Sequence, residues 1–262
     1  MKKSIYTLNV VNRSVGCGSS TSAVVRCSTP RFSPLGTWAR VAPDRVRAAI
    51  RRAFAQWGLP GRLRVDNGVP WGSWGDFPTE LALWAIGLGV GVHWNNPRSP
   101  QENGVVERSQ GTSDRWCEPW TCVTADELQE PLERWDRMYR EVYPYLRRKS
   151  RMAVFPGLAH SGRPYDPAQE ATLWEWSRVA AHLAGYVVRR RVDSAGLVSL
   201  YNRGHYVGQM HRGKEVYVMF DPNRTEWVFA DREGRQLRTL PAEELSPQHV
   251  MDLNVTHRRS RK

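Results

Sequence analysis

An α/β fold with a partly parallel sheet, followed by a small closed β-barrel, is what the order of hydrophobic patterns predicts. Three observations carry this. Through residues 1–142, short alternating apolar runs take turns with stripes at helical spacing, the signature of a mixed layered sheet. In the last third, five short alternating runs are separated by Gly and Pro turns, the signature of a small barrel. Apolar residues make up 40% and charged residues 24%, which is globular composition and excludes a disordered chain.

Each element has a local reason. Ile5 to Val11 and Thr21 to Cys27 alternate around a turn at Gly16–Ser20, which predicts a hairpin. After a loop at Pro30–Gly36, Pro43 suits the first position of a helix. Val46, Ala49, Ile50, Ala53, Phe54 and Trp57 form its apolar stripe, and Gly58 and Pro60 stop it. Leu63 and Val65 belong to a short strand ending at Asp66. A second helix opens near Pro78 and presents Leu81, Ala85 and Leu88, and Val90, Val92 and Trp94 alternate as another strand. The loop Asn95–Pro100 leads into a helix bearing Glu107.

Thr124 and Glu127 make a capping box for a long helix with Leu128, Leu132, Trp135, Met138, Tyr139 and Val142 on one face. Pro131 is expected to kink it. Residues 143–165 are basic and Pro/Gly-punctuated and read as a linker. Asp166 and Pro167 then start a last helix running to about Leu183. Strands are expected at Val188–Val192, Leu197–Tyr201, Glu215–Phe220, Glu226–Phe229 and Gln236–Leu240, closing into a barrel of SH3-like type. The expected division is thus a core at 1–142, a basic linker and helix at 143–185, a barrel at 186–246 and a basic tail at 247–262.

Charge narrows the partners. Thirty-eight Lys and Arg against 26 Asp and Glu leave +12, a surface that attracts polyanions, nucleic acid first among them. No apolar stretch is long enough for a membrane span, and no apolar segment of a signal peptide follows Met1-Lys2-Lys3, so a cytoplasmic protein is expected. Cys17, Cys27, Cys117 and Cys122 form no C-x-x-C pair and read as reduced, packed thiols without structural zinc.

Two segments concentrate the chemistry. Arg64-Val65-Asp66-Asn67-Gly68 delivers a carboxylate at a strand end. Asn-Gly alone is a strong hairpin signal, but Val69-Pro70-Trp71-Gly72 breaks the pairing that a hairpin needs. The second segment is Pro97-Arg98-Ser99-Pro100-Gln101-Glu102-Asn103-Gly104-Val105-Val106-Glu107-Arg108. On a helix Glu102 lies about 140° from Glu107, whereas Asn103 and Gly111 share its face. That face is open to a phosphate backbone, with Arg108 and Arg115 close by on the same helix. Arg147, Arg148, Lys149 and Arg151 are further candidate DNA contacts. Arg189, Arg190, Arg191, Arg203 and His205 fit phosphate contacts or a charged edge strand equally well.

With Trp57-Gly58-Leu59-Pro60, these segments resemble the integrase core of bacterial insertion-sequence transposases, relatives of retroviral integrase with an RNase H-like fold. The region after Gly185 is similar to the C-terminal module of such transposases. The resemblance implies a DDE enzyme that cleaves element ends and joins them to target double-stranded DNA, as a homo-oligomer on DNA in the cytoplasm at the nucleoid. It makes Asp66 and Glu107 the second and third carboxylates, ligands of two Mg²⁺ (or Mn²⁺). Two such ions stabilise the attacking and leaving oxygens of an in-line displacement at phosphorus.

The family's first carboxylate ends a strand preceding the one that Ile5–Val11 resembles. The single acidic residue before Asp66 is Asp44, at a helix start where the dipole favours it. A chain beginning after that strand is therefore expected, one that binds DNA with little strand transfer. The competing reading is a non-catalytic DNA-binding or dimer-forming fragment that inhibits transposition. A third is a generic nucleic-acid binder using its 12 Trp as stacking platforms, although Trp57, Trp84 and Trp135 fall at core-like spacing.

Overall fold

The computed structural model describes residues 5–13 and 20–28 (backbone), 42–72, 75–96, 112–113, 115–118, 121–122 and 125–255. The loop Pro30–Gly36, residues 97–111 with Asn103, Glu107 and Arg108, the cap Thr124 and the tail His257–Lys262 lie outside the described residues. In chain order the elements are β1 (Ile5–Arg13), β2 (Ser20–Ser28), α1 (Pro43–Trp57), β3 (Arg62–Val65), α2 (Glu80–Gly87) and β4 (Gly91–Trp94). There follow α3 (Ala125–Glu141), β5 (Pro144–Leu146), β6 (Lys149–Ser150), α4 (Arg151–Val154), α5 (Glu170–Leu173) and α6 (Trp176–Ala184). The last are β7 (Val188–Arg191), β8 (Leu197–Leu200), β9 (Arg203–Tyr206), β10 (Glu215–Asp221), β11 (Glu226–Ala230), β12 (Gln236–Pro241) and α7 (Pro247–Met251). They form a mixed α/β chain of two units, Met1–Val69 with Val90–Ala171 and Pro70–Gly89 with Thr172–Lys262. This division cuts across the boundaries read at 142 and 185.

In the first unit the sheet order is β2-β1-β3-β4. β1 and β2 form the expected hairpin, Ile5 opposite Ser28 and Arg13 opposite Ser20. β3 joins β1 antiparallel, Asn9 facing Arg64, and β4 joins β3 in parallel, Val65 facing Trp94. The sheet is therefore partly parallel, as the strand–helix alternation predicts. β3 is hydrogen-bonded along both edges, and its Leu63 and Val65 point into the core.

α1 starts at Pro43 and buries Val46, Ala49, Ile50, Ala53 and Phe54, the stripe read from the sequence. Burying Ile50 and Phe54 contributes about 1.5–3 kcal/mol each. Gly58 ends the helix at φ +77°, donating its N–H to the Phe54 carbonyl at 2.8 Å. A Cβ there would lie 2.3 Å from Ser161 Oγ, so only glycine fits beside this chain. Ser161 N–H bonds the Trp57 carbonyl and Leu59 N–H the Arg163 carbonyl, both at 2.8 Å. The stretch read as a linker is thus laced to the end of α1.

α3 runs through Pro131 without interruption. Leu128, Leu132 and Trp135 are buried with Cys117, and Cys122, Met138 and Tyr139 are partly covered. The Cys117 thiol reaches the Pro131 carbonyl at 3.5 Å. The stripe then runs out into solvent, with Val142 71% exposed.

In the second unit α2 is buried at all eight positions, not along one stripe as the pattern Leu81, Ala85, Leu88 implies. Thr79 caps it, its hydroxyl accepting from Ala82 N–H. The single helix expected from Asp166 to Leu183 is broken at Trp174–Glu175. Tertiary contacts break it: the Trp174 indole N–H bonds the Trp84 carbonyl at 3.1 Å, and Glu175 N–H bonds the Gly87 carbonyl at 3.0 Å.

A Cβ at Gly87 would lie 2.0 Å from Trp174 Nε1 and 2.2 Å from Cε2. Gly87→Ala gains about 1 kcal/mol of helix propensity but overpacks a ring tethered by its own hydrogen bond, which costs about 1–3 kcal/mol. A net loss of stability is expected in urea titration; a raised midpoint would show that the indole has room to move.

The remaining strands occur where the sequence puts them, with one more, β9, than it reveals. β7, β10, β11 and β12 form one antiparallel sheet in the order β12-β11-β10-β7, with a bulge at Phe229/Ala230. Among the described residues β8 and β9 pair only with each other. The expected closed barrel is not formed: among the described residues the edge strands β7 and β12 share no ladder, and the β8–β9 hairpin joins neither. The unit's core is instead filled by rings, with Trp227 and Phe229 fully buried and Phe77 4.8 Å from Trp227. No described helix is long and apolar enough to cross a membrane.

Candidate functional site

Asp66 follows β3 directly, at the carboxyl end of the parallel pair β3–β4, where α/β sheets place their sites. Burial of Leu63 and Val65 on one face fixes the register, so the strand can end nowhere else without exposing one of them. No hairpin follows; the chain turns through residues 67–72 toward α2. The two strand ends are tied by Asn95, a buried residue that the sequence reading leaves in a loop. Its N–H bonds the Val65 carbonyl (2.9 Å), its Oδ1 accepts from Arg64 Nε (2.6 Å) and its carbonyl accepts from Asn67 Nδ2 (2.6 Å). A polar residue directly after the Val90–Val92–Trp94 alternation was the available signal.

Asp66 keeps exposed surface, yet the protein packed about the strand end withholds enough water to raise its carboxyl above the ordinary value. The bond from its own backbone N–H opposes this more weakly. A raised carboxyl favours folding while protonated, and that contribution is lost as pH rises through its folded pKa.

The donors at this end are one carboxylate and amides already engaged with backbone and Arg64. Among the described residues no three His, Cys, Asp or Glu side chains converge. Mg²⁺ is held through one or two carboxylates with waters and substrate phosphates, and Asp66 offers one such carboxylate. Whether Glu107 meets Asp66, and where Asn103 and Arg108 stand, falls outside the described residues.

The other basic candidates separate into two groups. Arg115 is exposed on a helical stretch. Arg147, Arg148 and Lys149 are exposed on the β5–β6 hairpin and have no ion pair or side-chain hydrogen bond among the described residues. Arg151 is committed internally: its guanidinium lies 3.6 Å from the Tyr139 ring centre and bonds the Tyr139 hydroxyl at 2.7 Å.

In the second unit each of the candidate cations has a partner. Arg189 meets Glu215 at 3.5 Å, Arg190 bonds Asp76, and Arg191 bonds the Gly213 carbonyl at 3.1 Å. β7 is an edge strand, so these arginines suit edge protection. Arg203 pairs with Glu243, and His205 is buried against Glu244 Oε1 at 3.1 Å, which removes it from any phosphate. No known protein-family model matches the chain.

Proposed function

We propose that the chain is a DDE-type transposase region of the integrase-core class, acting on double-stranded DNA. The observation that supports this best is the exposed carboxylate of Asp66 at the carboxyl end of the parallel β3–β4 pair, followed in sequence by the Ser99–Arg108 motif. The hairpin that leads antiparallel into a parallel strand pair agrees with an RNase H-like sheet, and the antiparallel β7–β12 region with an opened SH3-like module. In this reading Asp66 and Glu107 hold Mg²⁺ (or Mn²⁺), which when bound supplies stabilisation of the oxygens at the reacting phosphorus. Asn103, Arg108 and Arg115 position phosphates, and the chain works as a homo-oligomer on DNA at the bacterial nucleoid.

One observation favours the non-catalytic alternative, a DNA-binding fragment that inhibits an intact transposase. β3 is paired on both sides, Arg62–Arg64 with β1 and Arg62–Val65 with β4, so among the described residues its edges are largely taken and a further carboxylate-bearing strand would have to displace β1 or β4. Duplex binding with little cleavage is therefore expected. The test incubates the protein with Mg²⁺ and duplexes covering the DNA that flanks its reading frame. Retained complexes for both the parent and Asp66→Asn, with no 3′-end nick, support the reading. Robust nicking abolished by Asp66→Asn would show that the acidic set is complete, and failure to bind any duplex would remove the transposase assignment.

A further inference from the structure

We infer that the β5–β6 hairpin is a binding surface for unpaired nucleotides, taking base faces on its tyrosines and phosphates on the cations at its tip. The inference rests on the reading that the partner is DNA, and on none of the metal chemistry.

Three observations converge. First, the hairpin exposes rings where packing would hide them: Tyr143 is 42% exposed and Tyr145 51%. Tyr143 stacks on Tyr139 with ring centres 5.9 Å apart, and Arg151 lies against the rings of both Tyr139 and Tyr145, at 3.6 and 4.8 Å. Rings braced in this way lose little freedom on binding.

Second, the exposed cations Arg147, Arg148 and Lys149 follow within four residues of Tyr145. Unlike Arg189 and Arg190 of β7, they are tied to no acidic group among the described residues. Third, Arg147 and Arg148 occupy the turn at φ +47° and +62°. A two-residue turn with both φ positive favours Asn-Gly, because most side chains are strained there. Two arginines at such a tip mean that their side chains are worth the backbone energy, an inference from an observed outlier to a role.

Exposed aromatic faces beside unpaired cations match single-stranded nucleic acid specifically. Every unpaired base offers a face to a ring and every linkage a phosphate to an arginine, whereas a duplex hides its base faces. Acidic protein would use the cations and leave the tyrosines idle.

The experiment measures fluorescence anisotropy of the full chain with a labelled oligothymidylate, an abasic strand of equal length and a duplex, across a salt series. The thymidylate strand is expected to bind on the order of tenfold more tightly than the abasic one. Tyr145→Ala should bring the two together. Arg147→Asn with Arg148→Gly keeps, and in fact improves, the turn, so thermal stability holds or rises. The same pair should flatten the single-strand salt slope by about 1.4, two phosphates at about 0.7 each. Equal binding of thymidylate and abasic strands, or single-strand binding untouched by the double variant, overturns the inference. So does a double variant that changes only self-association in sedimentation, which would mark the hairpin as a contact between copies. The duplex arm reads the transposase proposal separately: its loss alone leaves the hairpin inference standing.

Discussion

Arg51→Ala is expected to lower the unfolding free energy by about 3 kcal/mol in urea titration. Arg51 of α1 bonds Glu170 in a bidentate pair along one guanidinium edge, Nε to Oε2 at 2.8 Å and Nη2 to Oε1 at 2.6 Å. The Glu170 side chain is 3% exposed and that of Arg51 33%, which sets the estimate at the low end for breaking a buried pair. The Tyr165 hydroxyl also donates to Glu170. Removing Arg51 takes a bidentate cation away from a carboxylate that water cannot reach, so adding Glu170→Gln should recover part of the loss. No recovery would mean that packing, not charge, was lost.

The same cluster predicts an alkaline limb. Burial first, then the bond and charge of Glu170, raise the Tyr165 hydroxyl above its ordinary value, while Arg51 pulls the other way. A group held protonated by the fold contributes stability below its unfolded pKa near 10.0, lost as pH rises beyond. Tyr165→Phe should shrink this limb without abolishing it, because burial also raises Tyr186 and Tyr201.

What the sequence reveals here is what short-range chemistry decides. Pro43 and Gly58 bound α1 because a missing N–H and a positive φ are properties of single residues. Asp66 as a strand end is legible because Leu63 and Val65 alternate and Pro70 forbids a return strand. The misses come from partners distant in sequence. Trp174 breaks a helix because its partners lie on α2. β9 carries no apolar alternation, and the positive φ of Tyr201 and Asn202 turns it back onto β8. Barrel closure depends on registers between strands far apart, which pattern does not encode. Arg151 and His205 read as surface cations by residue type, and only the fold reveals the rings and the carboxylate that hold them.

Glu244 carries the second large effect. Its side chain is wholly buried, and a single oxygen, Oε1, accepts from the Trp227 indole N–H at 2.7 Å and meets His205 Nε2 at 3.1 Å. The three groups come from the end of the sheet, β11 and β9, so one carboxylate joins the β8–β9 hairpin to the main sheet where no ladder does. Glu244→Ala removes the acceptor of two buried groups, each worth about 1–3 kcal/mol when left unsatisfied. A loss of about 3 kcal/mol or more is expected, and a loss below 1 kcal/mol would show that the hairpin is held by packing alone. Glu244→Gln keeps a carbonyl oxygen for the indole and exchanges a buried charged Oε2, which has no hydrogen-bond partner among the described residues, for a neutral amide. Its stability at neutral pH should therefore fall less. The acid limb separates charge from shape. Burial pushes the Glu244 carboxyl up, but the bonds from His205, its own backbone N–H and Trp227 outweigh burial and hold it below the ordinary value of 4.5. That stability is present above the unfolded pKa and lost as pH falls through the folded one. Thermal melts from pH 7 downward should show the parent losing stability below about pH 4.5 and Glu244→Gln losing less over the same range. Parallel curves would mean that the acid sensitivity arises elsewhere and that Glu244 acts through shape alone.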